Sequence, residues 1–568
     1  MIKYIVNILL PKTTWRRKLV KKILIKLRLK SPVIAGFYNT WVQQQRNQPI
    51  LREELQDVSG GPLISIIVPT YNTPQRYLDD LVYSIISQAY ENWELILTDA
   101  STDIECKNNI KKCADHDQRI RVFSNTTKGI SANTNYGIKK AKGSYIAFCD
   151  HDDILEPFAL YEVALRIIKD QADLIYTDED KVSDDGEVYY DPHYKPDWSP
   201  DLLTHVNYIT HLTVVKKKLL DKVGLLDSTK DGAQDYDLLL RLMDESPKVV
   251  HIAKVLYHWR AALNSTAQDF SSKKNITDAA KSSLEAHFKR NGIKVKAVPK
   301  PHQPGFYELQ FRTPRAVSII VTTFSSDGLL RLFIEILSLK TDFGMAQFEL
   351  IVPIGLAPKL KHKNLKVIEV EPGSEYLYKA TKAASSDTLI IINQVAVPNK
   401  KDWALRLTSM LTQQHIRVVS PVLVRYGSLI ADCGLVQDGF DNYIHLFKDA
   451  AFYNNQTFFG NTNWVRNVGA LTGGVASVRT DQFKAFMSSY EDKDSKAVFK
   501  FSCMGDFNTI YTEVVLDTYA IELPPYKKHV KFFNDNLTAL GLDYIPHTPE
   551  ASALNILLRV AEDEGIKV

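Results

Sequence analysis

The sequence predicts a duplicated α/β protein in which each half is a doubly wound, mostly parallel sheet. Three observations point there. From residue 63 onward, short apolar runs alternate with stretches of helical spacing. Polar turns and carboxylates stand directly after several of those runs, at the strand ends where such sheets bind ligands. Blocks of the first half then return in the same order about 250 residues later.

With 568 residues, 24% charged and 45% hydrophobic, the chain has room for about three domains with real cores. That balance excludes a disordered chain, a collagen-like chain and a disulfide scaffold. Cys106, Cys113, Cys149, Cys433 and Cys503 form no CxxC pair, so a structural zinc site is not expected and a reducing, cytoplasmic setting is. No run approaches the ~18 apolar residues of a membrane span. Net charge is +4, yet residues 1–30 hold ten Lys or Arg and no acid, leaving the rest at −6. A basic nucleic-acid-binding body is thereby excluded.

The first element is a basic extension, 1–60. In WRRKLVKKILIKLRLK (15–30), Trp15, Leu19, Val20, Ile23, Leu24 and Leu27 share one half of a helical wheel, with Arg17, Lys18, Lys21 and Arg28 opposite. Charges interleaved with apolar residues are not the layout of a signal peptide. The helix either lies on an anionic leaflet at the inner face of the membrane or packs as a basic surface helix; the first is the expectation.

A first domain follows over 61–298. LISIIVP (63–69), WELILTD (93–99), RIRVFSN (119–125) and YIAFCD (145–150) read as buried strands, and YLDDLVYSIISQ (77–88) as a crossover helix. DAAKSSLEAHFKRNG (278–292) reads as a helix closed by Gly292, before a Pro-marked joint at 299–315. The second domain is expected over 316–535, with a helical tail over 536–568. AVSIIVTTFS (316–325) repeats 63–72 at an offset of 253, and FELIVPIG (348–355) repeats 93–100 at 255. LIIINQVAV (389–397) repeats 145–153 at 244, and GVASVRTDQF places Arg479 on Lys216 at 263. Drifting offsets are what loop insertions in a duplicated domain produce.

Asp150, Asp152 and Asp153 of DHDD follow an apolar run, and three carboxylates at one strand end repel one another. A divalent cation, Mg2+ or Mn2+, resolves the conflict and leaves room for substrate phosphates. The competing reading is a solvated acidic turn capping the helix near Pro157. The PTYN turn (Pro69, Thr70, Tyr71, Asn72) brings backbone groups to the neighbouring strand end. Asp99 ends the next strand, placed either to meet a base or ribose or to cap a helix. Lys128 precedes SANTNYGIKKA, whose Asn133 and Asn135 serve either structure or ribose. Gln234 and Asp235 open an apolar helix, where Asp235 is either a cap-side carboxylate or a general base. His258 and Arg260 in YHWR complete the candidates, the histidine as a third carrier of a metal or diphosphate site.

Together ISIIVPTYN, ELILTDASTD, KGISANTNYGIKKAKGSYIAFCDHDDIL, YTDED, GAQDYDL and LYHWR resemble the inverting, GT-A-fold glycosyltransferases of family 2, of the bacterial cell-surface polysaccharide, rhamnosyltransferase-like kind. They span residues 63–260 in the family's order. The resemblance implies that Asp99 contacts the base, that Asp150 and Asp152 form the DxD pair, that Asp235 is the catalytic base and that His258 faces metal or diphosphate. It further implies a nucleotide-sugar donor and a glycan or lipid-linked glycan acceptor. Thr98 and Ala100 depart from the pattern, where relatives often carry an Asp and a Gly. The second copy resembles the same fold with its site erased, INQVAV (392–397) standing opposite DHDD and Asp506 remaining as a remnant base. Its expected roles are acceptor binding, homodimer contacts or scaffolding.

Two other classes remain beside the transferase. A sugar-1-phosphate nucleotidyltransferase wants a Gly-rich phosphate loop after its first strand, and TYNTPQ has no glycine. A non-catalytic carbohydrate-binding or assembly protein is at odds with an intact DHDD, Asp99 and Asp235 in the first half.

Overall fold

The computed structural model describes residues 38–40, 42–44 and 56–518, except 127–128, 262–269, 302, 304, 324, 426–428, 438–441, 453–455, 458–459, 495 and 505–506. Segment 1–30, Lys128, Asp506 and the helical tail expected over 536–568 lie outside the described residues. The chain forms two units, one of Met1–Trp198 with Tyr208–Ala280 and one of Ser199–Asn207 with Lys281–Val568. Among the described residues no helix is long and apolar enough to cross a membrane.

In the first unit the apolar runs become β1 (Ile64–Thr70), β2 (Trp93–Asp99), β3 (Ile120–Ser124) and β4 (Tyr145–Phe148). β1 and β2 are buried along almost their whole length, as parallel strands covered on both faces must be. The crossovers are α1 (Gln75–Ile86), α2 (Ile104–Lys112) and α3 (Ile130–Lys140). Then come β5 (Ile154–Leu155), α4 (Ala159–Asp170), β6 (Leu174–Val182), β7 (Tyr189–His193), β8 (Thr213–Lys216), α5 (Gln234–Met243) and β9 (Val249–Arg260), and the boundary between the units falls within α6 (Phe270–Arg290). The sheet runs β3-β2-β1-β4-β8-β6-β9-β5, with β7 on β6. Gly292, at φ 72°, follows the end of α6 where a left-handed residue ends a helix cheaply.

The second unit includes a hairpin, β10 (Val295–Pro299) and β11 (Tyr307–Phe311), whose second strand lies inside the expected joint at 299–315. Its sheet uses β12 (Ala316–Val321), β13 (Gln347–Pro353), β14 (Leu365–Val370), β15 (Thr388–Ile392), β16 (Val397–Pro398), β17 (Ile416–Arg425), β18 (Leu429–Asp432), β19 (Arg466–Val468), β20 (Val475–Arg479) and β21 (Phe507–Asp517). Their order is β14-β13-β12-β15-β20-β17-β21-β16, with β18 on β17 and β19 on β21. Along the main path this is the first sheet again, with β19 added.

Ladder registers make the duplication quantitative. Ile64 faces Trp93 as Val317 faces Phe348, reproducing the offsets of 253 and 255. Ile64 faces Tyr145 as Val317 faces Thr388, and Tyr145 faces Lys216 as Thr388 faces Arg479. The third block is therefore offset by 243 rather than 244. A one-residue slip is invisible in a uniformly apolar run, whereas hydrogen bonds to two neighbours allow one register. A buried polar motif repeats in the same frame. Ser65 Oγ donates to Glu94, which also accepts from Lys142 N–H; Ser318 Oγ donates to Glu349, which accepts from Ser385 N–H.

Ser199–Asn207 is held within the second unit by Asp201, a fully buried carboxylate. It accepts from Asn467 Nδ2 (2.7 Å) and Thr509 Oγ1 and meets His415 Nε2 at 2.7 Å. Burial alone raises the Asp201 pKa, but His415, Thr509 and Asn467 override it and hold it below the usual range. Burial lowers the His415 pKa, and Asp201 overrides that to raise it. The pair's contribution is thus complete from about pH 4 to pH 6.5. It is lost as pH rises through the raised His415 value or falls through the lowered Asp201 value. Asp201→Asn is expected to cost about 3 kcal/mol at pH 5.5 and less at pH 8.5, read from denaturant unfolding of both proteins.

Candidate functional site

The site assembles at the carboxyl ends of β1, β2 and β4. At β1 the chain leaves Pro69 and the buried Thr70 for an exposed Tyr71 and for Asn72, which adopts φ 48°. Asn72 ties the two strand ends together: its N–H donates to Ser101 Oγ (2.7 Å) and its Oδ1 accepts from Thr102 and Asp103 N–H. Asp99 Oδ1 accepts from Ser101 N–H (2.9 Å) and Thr70 Oγ1 (3.2 Å). The helix cap offered as the alternative for Asp99 belongs to Asp103, which accepts from Cys106 N–H. Asn133 and Asn135 are structural. Asn133 donates to the Thr98 carbonyl, and Asn135 exchanges hydrogen bonds with the backbone of Leu226.

After β4 the DHDD turn holds its three carboxylates in unlike settings. Asp150 is half-exposed, and its N–H donates to Tyr257 Oη (3.1 Å). Asp153 is fully buried, accepting from Tyr257 Oη and, at 2.8 Å, from Arg260 N–H. Burial first, then Asp150 and Asp152, push the Asp153 carboxyl well above the usual range. Asp152 is raised by burial and by Asp150, with His151 opposing. The turn does not cap the following helix, since α4 begins at Ala159 after Phe158 with no side-chain cap.

Arg260 is a clamp, fully buried. Nε donates to the Asp152 carbonyl (2.7 Å), Nη1 to the Asp184 carbonyl (2.9 Å) and Nη2 to Asp80 (2.7 Å). A lysine ammonium cannot reach three separated acceptors in one plane. Arg260→Lys is expected to destabilise the protein by about 3 kcal/mol in denaturant unfolding.

The structure corrects the role expected of His258. Its ring is buried between Asp180 at Nδ1 (2.5 Å) and Glu156 at Nε2 (2.7 Å). Burial lowers its pKa, but the two carboxylates override that and raise it. A ring with both nitrogens hydrogen-bonded to carboxylates presents no lone pair to a cation. His211 stands nearer: its Nε2 is 3.6 Å from Asp150 Oδ2, and ligand atoms of Asp150, Asp153 and His211 lie within 4.8 Å of one another. Asp152 falls outside that trio. Two carboxylate oxygens and an imidazole nitrogen are a donor set that suits a divalent cation.

Asp235 lies in the first turn of α5. It is exposed at the surface, yet dense surrounding protein raises its pKa by desolvation. His211 opposes the shift and Asp150 adds to it, so Asp235 shares the field of the DHDD turn from a segment some 85 residues away. Gln234 Oε1 accepts from Gly232 N–H (2.6 Å), which spends it on the turn before α5.

Sequence reasoning missed His211, Lys195 and Glu179. Lys195 Nζ is fully buried, pairs with Glu179 (3.2 Å) and donates to the carbonyls of Ile209 and His211. Burial raises the Glu179 pKa, but Lys195 and His193 overcome it and hold it far below the usual range. The available signal was the DED of YTDED: acids inside a buried strand need partners.

In the second unit, register puts Asn393, Val395 and Ala396 where Asp150, Asp152 and Asp153 stand, and Ile354 opposite Asp99. Val422, Leu423 and Val424 replace Asp178, Glu179 and Asp180. The polar machinery is gone.

Residues 65–224 match the family "Glycosyl transferase family 2". The chain is 40% identical over 318 residues to the uncharacterized protein y4gI of Sinorhizobium fredii, covering 55% of this chain and 34% of that protein. It is 30% identical over 453 residues to the O-antigen biosynthesis protein RfbC of Myxococcus xanthus, covering 76% and 35%. The matched stretches thus span about a third of the length of these relatives. The crystal structure of S. aureus TarS 1-349 in complex with UDP-GlcNAc aligns over 40% of this chain and 66% of that one, at 18% identity and a TM-score of 0.33.

Proposed function

We propose, from the premise that this chain belongs to the family 2 glycosyltransferases through residues 65–224, that its first unit moves a sugar from a nucleoside-diphosphate donor to a hydroxyl of a growing cell-surface polysaccharide, with inversion. The observation that carries the reading is the meeting of Asp150, Asp153 and His211, whose ligand atoms lie within 4.8 Å of one another, with Asp235 close enough to feel the charges of Asp150 and His211. Asp235 takes the proton of the acceptor hydroxyl as that oxygen attacks the anomeric carbon. Desolvation raises its pKa, which makes it a stronger base than an ordinary carboxylate. Asp99 and the Pro69–Asn72 turn bound the nucleoside side, and Asp150 with Asp152 and Asp153 forms the acidic end. A divalent cation bound there would neutralise charge developing on the departing diphosphate.

Rhamnose is the proposed sugar, and the acceptor a lipid-linked glycan at the inner face of the membrane. The second unit is proposed as a non-catalytic partner domain for acceptor or dimer contacts, supported by its lost carboxylates. A panel of nucleotide sugars with Mn2+ or Mg2+, scored for nucleoside diphosphate release with and without lipid-linked acceptors, tests donor and acceptor together. Release from none of them would overturn the transferase reading.

The basic segment 1–30 would hold the protein at an anionic leaflet. At about 1 kcal/mol for each cation reaching the surface, a few of its ten suffice. Deleting residues 1–30 is expected to abolish co-sedimentation with anionic vesicles and to spare donor binding. Full-length binding is expected to weaken with salt. Equal co-sedimentation of the truncated and full-length proteins would make the segment an ordinary surface helix.

A further inference from the structure

We infer that His211 is the imidazole donor of the first unit's cation site, taking the place that the sequence offered to His258. The inference rests on the metal-dependent reading above and adds a ligand to it. Distance supports it first. Two donors each about 2.1 Å from one ion lie about 3.0 Å apart when adjacent and about 4.2 Å apart when opposite. His211 Nε2 and Asp150 Oδ2 are 3.6 Å apart, between those limits and too far for a hydrogen bond.

Support for the ring is the second argument. His211 lies flat on the Tyr257 ring, with centroids 4.6 Å apart and planes 10° apart. The hydroxyl of that tyrosine donates to Asp153 and accepts from Asp150 N–H. One side chain thus contacts the imidazole, the Asp153 carboxylate and the Asp150 main chain. The His211 main chain is fixed as well: its N–H donates to Glu179 Oε2 (3.0 Å), and its carbonyl accepts from Lys195 Nζ. Thr210 Oγ1 donates to the same Glu179 oxygen at 2.7 Å. A buried ion pair therefore spends itself on a loop rather than on the core, which is the work of a shell that orients a ligand. His258 has no such freedom, since both its nitrogens are on carboxylates.

The test uses the full-length protein and Mn2+ alone. Pulsed EPR of the bound ion reads nitrogen coupling from a coordinated imidazole, and titration reads affinity. Wild type is expected to show the coupling. His211→Ala and His211→Gln are expected to lose it and to bind Mn2+ at least ten-fold more weakly. His151→Asn and His258→Gln are expected to keep it. Coupling that persists in both His211 variants, or Mn2+ bound by wild type without nitrogen coupling, would overturn the inference while leaving a carboxylate metal site standing. Wild type that binds no Mn2+ would remove the metal reading itself, and the inference with it.

Discussion

Asp235→Asn is expected to lower turnover by about 10²- to 10⁴-fold while donor affinity stays within about three-fold of wild type. Positioned proton transfer is worth that much, and an amide cannot accept the proton. The residue sits in the first turn of α5, where the substitution changes charge but little volume. Comparing kcat with donor binding by calorimetry separates the roles, because a base acts on the acceptor and not on the donor. The pH profile adds a second reading. Desolvation raises the Asp235 pKa, so wild-type turnover is expected to rise with pH through that raised value and to lose this limb in the variant. Donor affinity lost with kcat unchanged would make Asp235 a binding residue.

Asp150→Asn is expected to reduce transfer by about a thousand-fold or more and to weaken Mn2+ binding by at least ten-fold. Asp150 is the half-exposed member of the acidic turn, nearest to His211 and within the field of Asp235. Excess EDTA is expected to abolish wild-type transfer, with recovery on adding Mn2+. Asp152→Asn is expected to lower transfer as well. Its carboxyl is more enclosed than that of Asp150, and the clamp from Arg260 rests on its carbonyl rather than on its side chain. Full activity in EDTA would overturn the metal assignment for all three carboxylates.

The local pattern of the chain was enough to place the strands. Runs such as ISIIVPT and WELILTD are apolar at most positions and bounded by turn residues, and a short strand covered on both faces buries such a run. The duplication was legible for the same reason, since apolar blocks in a fixed order survive the loss of a site. Register was not. In LIII against YIAF a shift of one residue changes nothing in hydrophobicity, and the ladder with β12 and β20 decides it. The hairpin at 295–311 was hidden by its prolines, which read as a joint, whereas Pro299 closes the first strand of a separate two-stranded sheet.

At the site, the sequence by itself determined which chemistry stands at the strand ends: DHDD after β4, Asp99 after β2 and Asp235 at the start of α5. Those residues follow directly on local patterns, so reading the pattern finds them. Only the tertiary structure decided which groups meet. The LYHWR pattern drew attention to His258 and nothing local drew it to His211, yet neither set of neighbours shows which ring is open to a cation. The difference comes from residues far off in the chain: Asp180 and Glu156 close around one ring, while Tyr257, Glu179 and Lys195 turn the other toward Asp150. A side chain's type is local, but its protonation and its open lone pairs are set by the charges that folding brings within a few ångströms.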